Sequence, residues 1–173
     1  MDNVIFREAT ASDAAKMIEH MRTVGGETDY LTYGKDTFNI SEKREASFIS
    51  RFSSSQKDSM IIAVDSVNGK ILGCGIVEHN RIARLSHNAE ISLTVIKEAW
   101  GQGIGSRLME MMIEFAKGSG THALTLFVRS DNSRAISLYE RFGFSRIGTS
   151  PDMFLINGVY YSADNMYLSL SDS

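Results

Sequence analysis

Residues 95–108 read VIKEAWGQGIGSRL, and the fold turns on how this stretch is read. An apolar run stops, Gly101, Gly103 and Gly105 arrive at every second position, and a long amphipathic pattern begins at once. That is a strand, a tight turn and a helix N-terminus, a layout that bares backbone N–H groups toward an anion such as a phosphate. Glycine suits the turn because a side chain would block the anion and because the backbone there favours positive φ. Two common nucleotide turns are excluded. A P-loop needs G-x-x-x-x-G-K-[ST], but Ser106 stands where its second glycine must be and Arg107 where its lysine must be. A dinucleotide fingerprint needs G-x-G-x-x-G, and its last glycine falls on Ser106 counted from Gly101, or on Leu108 counted from Gly103.

The bulk composition narrows the field. A chain of 173 residues fits a single domain spanning 1–173 with a core of its own. Apolar residues at 43% and charged residues at 23% are ordinary for a soluble protein. Eighteen Lys+Arg against 21 Asp+Glu give a net charge of −3, which leaves no electrostatic footprint for nucleic acid. The one cysteine, Cys74, cannot form an internal disulfide and lies in the apolar run ILGCGIV, where it reads as a small core residue. The start, MDNVIFREAT, has neither a basic region nor an apolar signal core. No apolar run approaches the ~18 residues that a membrane helix needs. A cytoplasmic protein without membrane or nucleic-acid partners is expected.

Outward from the glycine turn, the elements alternate. Residues 4–8 predict a strand, and Thr10 or Ser12 caps a helix carrying Ala14, Met17, Ile18 and Met21 that stops at Gly25-Gly26. After a polar, aromatic stretch over 27–39, Ser41 caps a second helix through Phe52. Residues 60–65 and 70–78 are β-branched runs joined across Val67-Asn68-Gly69, a strong hairpin signal. Residues 89–96 form another strand before the turn, and a helix over 103–117 follows with Leu108, Met111, Met112 and Phe115 as its buried stripe. Residues 122–128, HALTLFV, predict a buried strand. Asp131 or Asn132 caps a short helix to Arg141, Gly143 ends it, and strands over 144–148, 153–156 and 161–170 close the chain around Asn157-Gly158. The order predicts an α+β fold in three layers: a mixed, largely antiparallel sheet of six to seven strands with helices on both faces.

Three segments taken together carry a resemblance. They are Ala89-Glu90-Ile91-Ser92-Leu93-Thr94-Val95, then Gly101-Gln102-Gly103-Ile104-Gly105-Ser106-Arg107-Leu108, then residues 131–144, DNSRAISLYERFGF. In this order and spacing the chain resembles the GCN5-related N-acetyltransferase (GNAT) family over essentially its whole length. The hairpin over 154–161 resembles the C-terminal part of ribosomal-protein N-terminal acetyltransferases and their small-molecule relatives. One departure stands out: the family turn commonly begins with Arg or Gln, and here that position is Trp100. Gln102 and Arg107 are the side chains that would compensate for the lost contact to pyrophosphate.

The resemblance implies acetyl-coenzyme A as co-substrate, no metal, and an amine acceptor. The turn N–H groups of Gln102, Gly103, Ile104, Gly105 and Ser106 would hold the pyrophosphate, and the main chain of Leu93 and Val95 would pair with the pantetheine arm. Tyr139 is implied as the acid that protonates the departing sulfur. Asn132, seven residues earlier and so ~10 Å away on nearly the same helix face, would orient the arm. Glu90 is the candidate base, acting directly or through water, with Ser92 or Thr94 as alternatives holding a relay water. Strict alternation puts Glu90, Ser92 and Thr94 on one strand face; a bulge common in this strand of the family would change that parity.

Glu27, Asp29 and Tyr30 lie in the stretch that borders the acceptor site in the family. Carboxylates beside a tyrosine would suit an ammonium through charge and cation–π contact, and a merely solvated acidic loop is the alternative. His20, His79, His87 and His122 show no metal-ligand spacing. The expected activity is transfer of an acetyl group to a primary amine of a small molecule or a protein N-terminus. The other readings are a catalytically silent acyl-coenzyme A-binding module and a structural or partner-binding domain. A homodimer is left open.

Overall fold

Strand β2 (Ser59–Asp65) is buried at each position from Ser59 to Val64, which requires a strand covered on both faces. Its side chains alternate between two cores. Met60, Ile62 and Val64 join one, and Ile61 and Ala63 join the other. The computed structural model describes residues 3–34 and 39–171.

Around β2 run β1 (Val4–Glu8), α1 (Ala14–Glu27), α2 (Glu42–Ser53), β3 (Ile71–His79), β4 (Asn88–Val95), α3 (Ile104–Gly118), β5 (Ala123–Arg129), α4 (Ser133–Arg141), β6 (Ser145–Ile156) and β7 (Val159–Ser169). The seven strands form one sheet in the order β1-β2-β3-β4-β5-β7-β6. All neighbours are antiparallel except β4 and β5. Helices α1 and α2 pack on one face through Ala14, Met17, Ile49 and Phe52, and α3 packs on the other through Ile104, Leu108, Met109 and Met112. The three-layer mixed sheet expected from the sequence is the architecture found.

Three local expectations change. Helix α1 does not stop at Gly25-Gly26 but continues to Glu27, with Gly25 buried. The buried stripe of α3 runs through Ile104, Leu108, Met109, Met112 and Ala116, and Met111 and Phe115 are only partly buried. Two glycines in β3 explain that rotation. A Cβ on Gly73 would stand 3.0 Å from Leu108 Cδ1, and one on Gly75 would stand 2.9 Å from Met112 Sδ. Without side chains there, α3 sits close to the sheet and turns its small residue Ala116 inward. The last strands are longer than the pattern suggests, because β6 runs through Pro151 and Asp152 with a register irregularity between Ser150 and Phe154.

Candidate active site

Strands β4 and β5 separate after three residue pairs. Asn88, Ala89 and Glu90 pair in parallel with Ala123, Leu124 and Thr125. Beyond that point β5 pairs only with β7, and residues 91–95 of β4 keep only their β3 partners. An open strand edge is costly in a protein interior unless something pairs with it. The register of β4 against β3 is continuous from Val95 to Ala89, so no bulge disturbs the alternation. Glu90, Ser92 and Thr94 therefore share a face, and the contact of Thr94 with His20 of α1 identifies it as the α1–α2 side. Leu93 and Val95 face the other way, toward Gly105 and Leu138.

The glycine turn lies at the far end of the open edge. Gly101 and Gly103 have φ of 78° and 81°, a region that a side chain would strain. Gly103 is the N-cap of α3, and the first helical bond runs from Arg107 N to the Gly103 carbonyl at 3.0 Å. The N–H groups of Ile104, Gly105 and Ser106 thus have no carbonyl within the helix to bond. The two side chains expected to compensate at this turn both have partners within the chain. The Gln102 amide donates back to the Glu98 carbonyl (2.9 Å), and Arg107 pairs with Glu110 at 3.0 Å.

Trp100 gathers two cations beside the turn. Its indole Nε1 donates to the Val95 carbonyl at 2.7 Å, satisfying one acceptor at the end of β4. The Arg134 guanidinium lies 4.5 Å from the ring centroid and Lys97 Nζ 6.0 Å. Neither cation has a carboxylate partner among the described residues. Arg134 belongs to the first turn of α4, so the indole bridges the glycine turn to that helix. Arg134 and Lys97 were not singled out from the sequence; the available signal was Trp100 itself, an aromatic at a position that commonly carries a cation contact.

On the α4 side, Asn132 is the N-cap, its side chain accepting from Ala135 N at 3.2 Å. Tyr139, two turns on, is 8% exposed, and burial pushes its hydroxyl up to about 12. The hydroxyl has no hydrogen-bond partner among the described residues. It keeps its proton at neutral pH and has no internal acceptor for it.

The α1–α2 side is wired differently. His20 is 2% exposed, and desolvation pushes it down to about 4. Its Nδ1–H must donate to the Ile71 carbonyl (3.1 Å), so its Nε2 accepts the Thr94 hydroxyl proton at 2.8 Å. Thr94 is thereby committed to His20 and is not free to hold a relay water with that proton. Glu90 stays at the surface. Partial desolvation and the Glu78 carboxylate directly opposite it in β3 raise its pKa above the usual range, which suits a base.

Of the three acceptor-side candidates, Glu27 and Tyr30 have side-chain partners within the chain, and Asp29 is held through its main chain. The Glu27 carboxylate accepts from Lys97 N at 2.7 Å, fastening the end of α1 to the turn after β4. The cation on Tyr30 is the chain's own Arg129, 4.6 Å from the ring centroid, and Tyr161 contacts the same guanidinium at 3.9 Å. Arg129 is 7% exposed, pairs with both oxygens of Asp131 at 2.7 and 2.6 Å, and donates to the Asp29 carbonyl at 3.1 Å. Residues 27–30 are thus strapped to the β5–α4 junction and to the turn after β4, while the side chains of Asp29 and Tyr30 stay exposed.

Among the described residues no group of three His, Cys, Asp or Glu side chains converges as a metal site. No described helix is long and apolar enough to cross a membrane.

The sequence profile of the Acetyltransferase (GNAT) family matches residues 27–144. The fold is similar to that of an acetyltransferase of the GNAT family from Streptococcus pneumoniae, with 27% identity, a TM-score of 0.91, and coverage of 97% of this chain and 99% of that one. A Salmonella typhimurium protein solved with its cofactor acetyl-CoA shares the fold at 19% identity and a TM-score of 0.86, covering 99% and 96%. The spermidine N(1)-acetyltransferase of Vibrio cholerae is 30% identical over 95 residues, which are 54% of this chain and 55% of the relative. The chain thus spans about half the length of that curated relative.

Proposed function

The chain belongs to the GNAT acetyltransferase family, and from that premise we propose that it transfers the acetyl group of acetyl-coenzyme A to a primary amine, in a complex that holds both substrates at once. The observation that carries this reading is the open β4 edge over residues 91–95, which has the glycine turn at one end and Asn132 and Tyr139 across from it. The residues fit the co-substrate. The N–H groups of Ile104, Gly105 and Ser106, with Arg134 and Lys97 beside them, suit a pyrophosphate, and the edge of Leu93 and Val95 suits an extended amide-bearing arm.

The acetyl donor supplies an activated carbonyl and a thiolate leaving group. The residues of the chain divide the remaining work. Glu90, ionised, takes a proton from the acceptor ammonium directly or through one water, leaving a nitrogen lone pair to attack the carbonyl carbon. As the carbon–sulfur bond breaks, the attacking nitrogen gives up its second proton to water, the buried Tyr139 hydroxyl gives its proton to the sulfur, and proton exchange with solvent restores Glu90 and Tyr139. Asn132 and the β4 edge hold the arm so that the sulfur lies within reach of Tyr139.

Acceptors to consider are a small amine, as the name of the Vibrio relative indicates for that protein, and a protein N-terminus. Titration calorimetry with acetyl-coenzyme A, followed by thiol release across a panel of amines, amino acids and N-terminal peptides, tests the reading. Binding with amine-dependent thiol release is expected. Binding without release from any amine would make the chain a silent acyl-coenzyme A module, and no binding would leave a structural domain.

A further inference from the structure

Glu78 and Glu90 stand directly opposite each other in the β3–β4 ladder. Alternation from Cys74 and Ile76, which face α1 and α2, puts both carboxylates on that side of the sheet. Like charges placed opposite each other weaken a ladder, so the arrangement calls for a reason. The two carboxylates are not treated alike. Glu78 is held in an ion pair, with Arg51 Nη2 at 2.8 Å from its Oε1. The Glu90 carboxylate has no hydrogen bond or ion pair with any described residue.

Arg51 is itself fixed from behind. It lies in the last turn of α2, where a cation suits the C-terminal end of the helix dipole. Its Cζ is 4.9 Å from the Phe48 ring centroid and 5.1 Å from that of Phe52, and the two rings meet edge to face at 5.1 Å. Phe52 is buried in the core beneath α2, so the rack that holds the guanidinium is anchored. The Arg51 and Glu78 side chains are 40% and 39% exposed, and an ion pair so open to water adds little to stability. What it fixes is the place of a charge.

Helix α2 packs over β2, and β4 lies on the far side of β3, so the order across this face is Arg51, Glu78, Glu90. The other elements bring no nearer charge among the described residues. Strand β5 sets the uncharged Thr125 level with Glu90, and β7 sets Tyr167 beyond it. The buried Glu45 of α2 acts on Cys74, and His20 of α1 is bonded to Thr94. Glu78 is thus the charge that bears on Glu90, and Arg51 the charge that offsets Glu78.

We propose that Arg51 is a positioning residue for the transfer reaction: it holds and offsets the Glu78 charge, and so sets how far the pH can fall before Glu90 stops working as a base. The proposal rests on the reading that Glu90 takes the proton of the acceptor. Without Arg51, the Glu78 carboxylate keeps Glu90 protonated up to a higher pH. Without Glu78, Glu90 ionises at a lower pH. The two partners of one ion pair therefore act on Glu90 in opposite directions. A merely structural contact cannot do this, because removing either partner loses the same contact.

The test follows the side-chain carboxyl carbon of Glu90 by NMR through the acid range, assigned by its loss in Glu90→Gln. Two unit charges about 6 Å apart near a surface move a titration midpoint by about half a pH unit. Arg51→Gln should raise the Glu90 midpoint by about that much, and Glu78→Gln should lower it. In turnover with acetyl-coenzyme A and the amine of the panel that releases thiol fastest, the acidic limb of kcat/KM should move the same way in each variant. Below the limb that is about threefold in rate, with the plateau within about twofold of the wild type. Midpoints that stay put, or that move in one direction in both variants, would overturn the role of Arg51; Glu90 would still be the base if its own limb vanishes in Glu90→Gln. Midpoints that part while the kinetic limb stays fixed would overturn Glu90 as the base, and with it the part of Arg51 in the reaction.

Discussion

The two walls of the β4–β5 opening are built on different principles. The α3–α4 wall works largely through backbone: a glycine turn, the bare N–H groups of Ile104, Gly105 and Ser106, and the Asn132 cap. The α1–α2 wall works through side chains brought together from distant segments, such as His20 with Thr94, Glu27 with the Lys97 N–H, and Arg129 with Tyr30 and Tyr161. A wall of backbone groups suits a ligand whose phosphates and amides do not vary. A wall of side chains can be retuned by substitution, which suits the partner that distinguishes one acetyltransferase from another.

The largest effect should come from Tyr139→Phe on the first wall. Loss of the proton donor should lower kcat by about 10²–10⁴-fold, with calorimetric affinity for acetyl-coenzyme A unchanged. A fall in affinity with kcat intact would make Tyr139 part of the binding wall only. Next is Glu90→Gln on the second wall. A base must be ionised, so wild-type activity should fall as pH drops through the raised pKa of Glu90. The variant should lose about 10²-fold in kcat/KM and lose that acidic limb as well. A limb that survives the substitution would assign the proton transfer to another group.

His20 separates the walls by stability. Its folded pKa of about 4 lies below its ordinary 6.5, so the unfolded chain binds the extra proton first as pH falls. Stability should be full above the ordinary value and decline between it and the folded value, by on the order of 3 kcal/mol. Denaturant unfolding across that window should show the slope, and His20→Gln should flatten it. The smallest effect belongs to Arg134→Gln, which should weaken acetyl-coenzyme A binding by about tenfold or less through loss of one charged contact. The KM of the amine should not change. A change in amine KM instead would move Arg134 to the acceptor wall.

The same contrast explains what the sequence reveals and what it conceals. Gly101, Gly103 and Asn132 are legible because φ > 0 and a helix cap demand particular residues at fixed spacing, whatever the tertiary structure. Alternation likewise puts Glu90 and Thr94 on one face before any contact is known. The strap of Arg129 to Tyr30 joins residues 99 positions apart and leaves no periodic trace, so Tyr30 reads as an open cation site when its ring already holds one. Trp100 is conspicuous in the sequence and explained only by the contact to the Val95 carbonyl. Residues 35–38, in the polar stretch read over 27–39, lie outside the described residues.

Trp100 is the single tryptophan of the chain, and it stands between the glycine turn and α4. Titrating its fluorescence with acetyl-coenzyme A therefore reads the proposed binding wall and nothing else in the protein. A saturable change at one equivalent per chain, with the same Kd as calorimetry and lost on crowding the turn by Gly105→Leu, is the predicted result. Calorimetric binding that leaves Trp100 emission unchanged would place the ligand elsewhere and contradict the account.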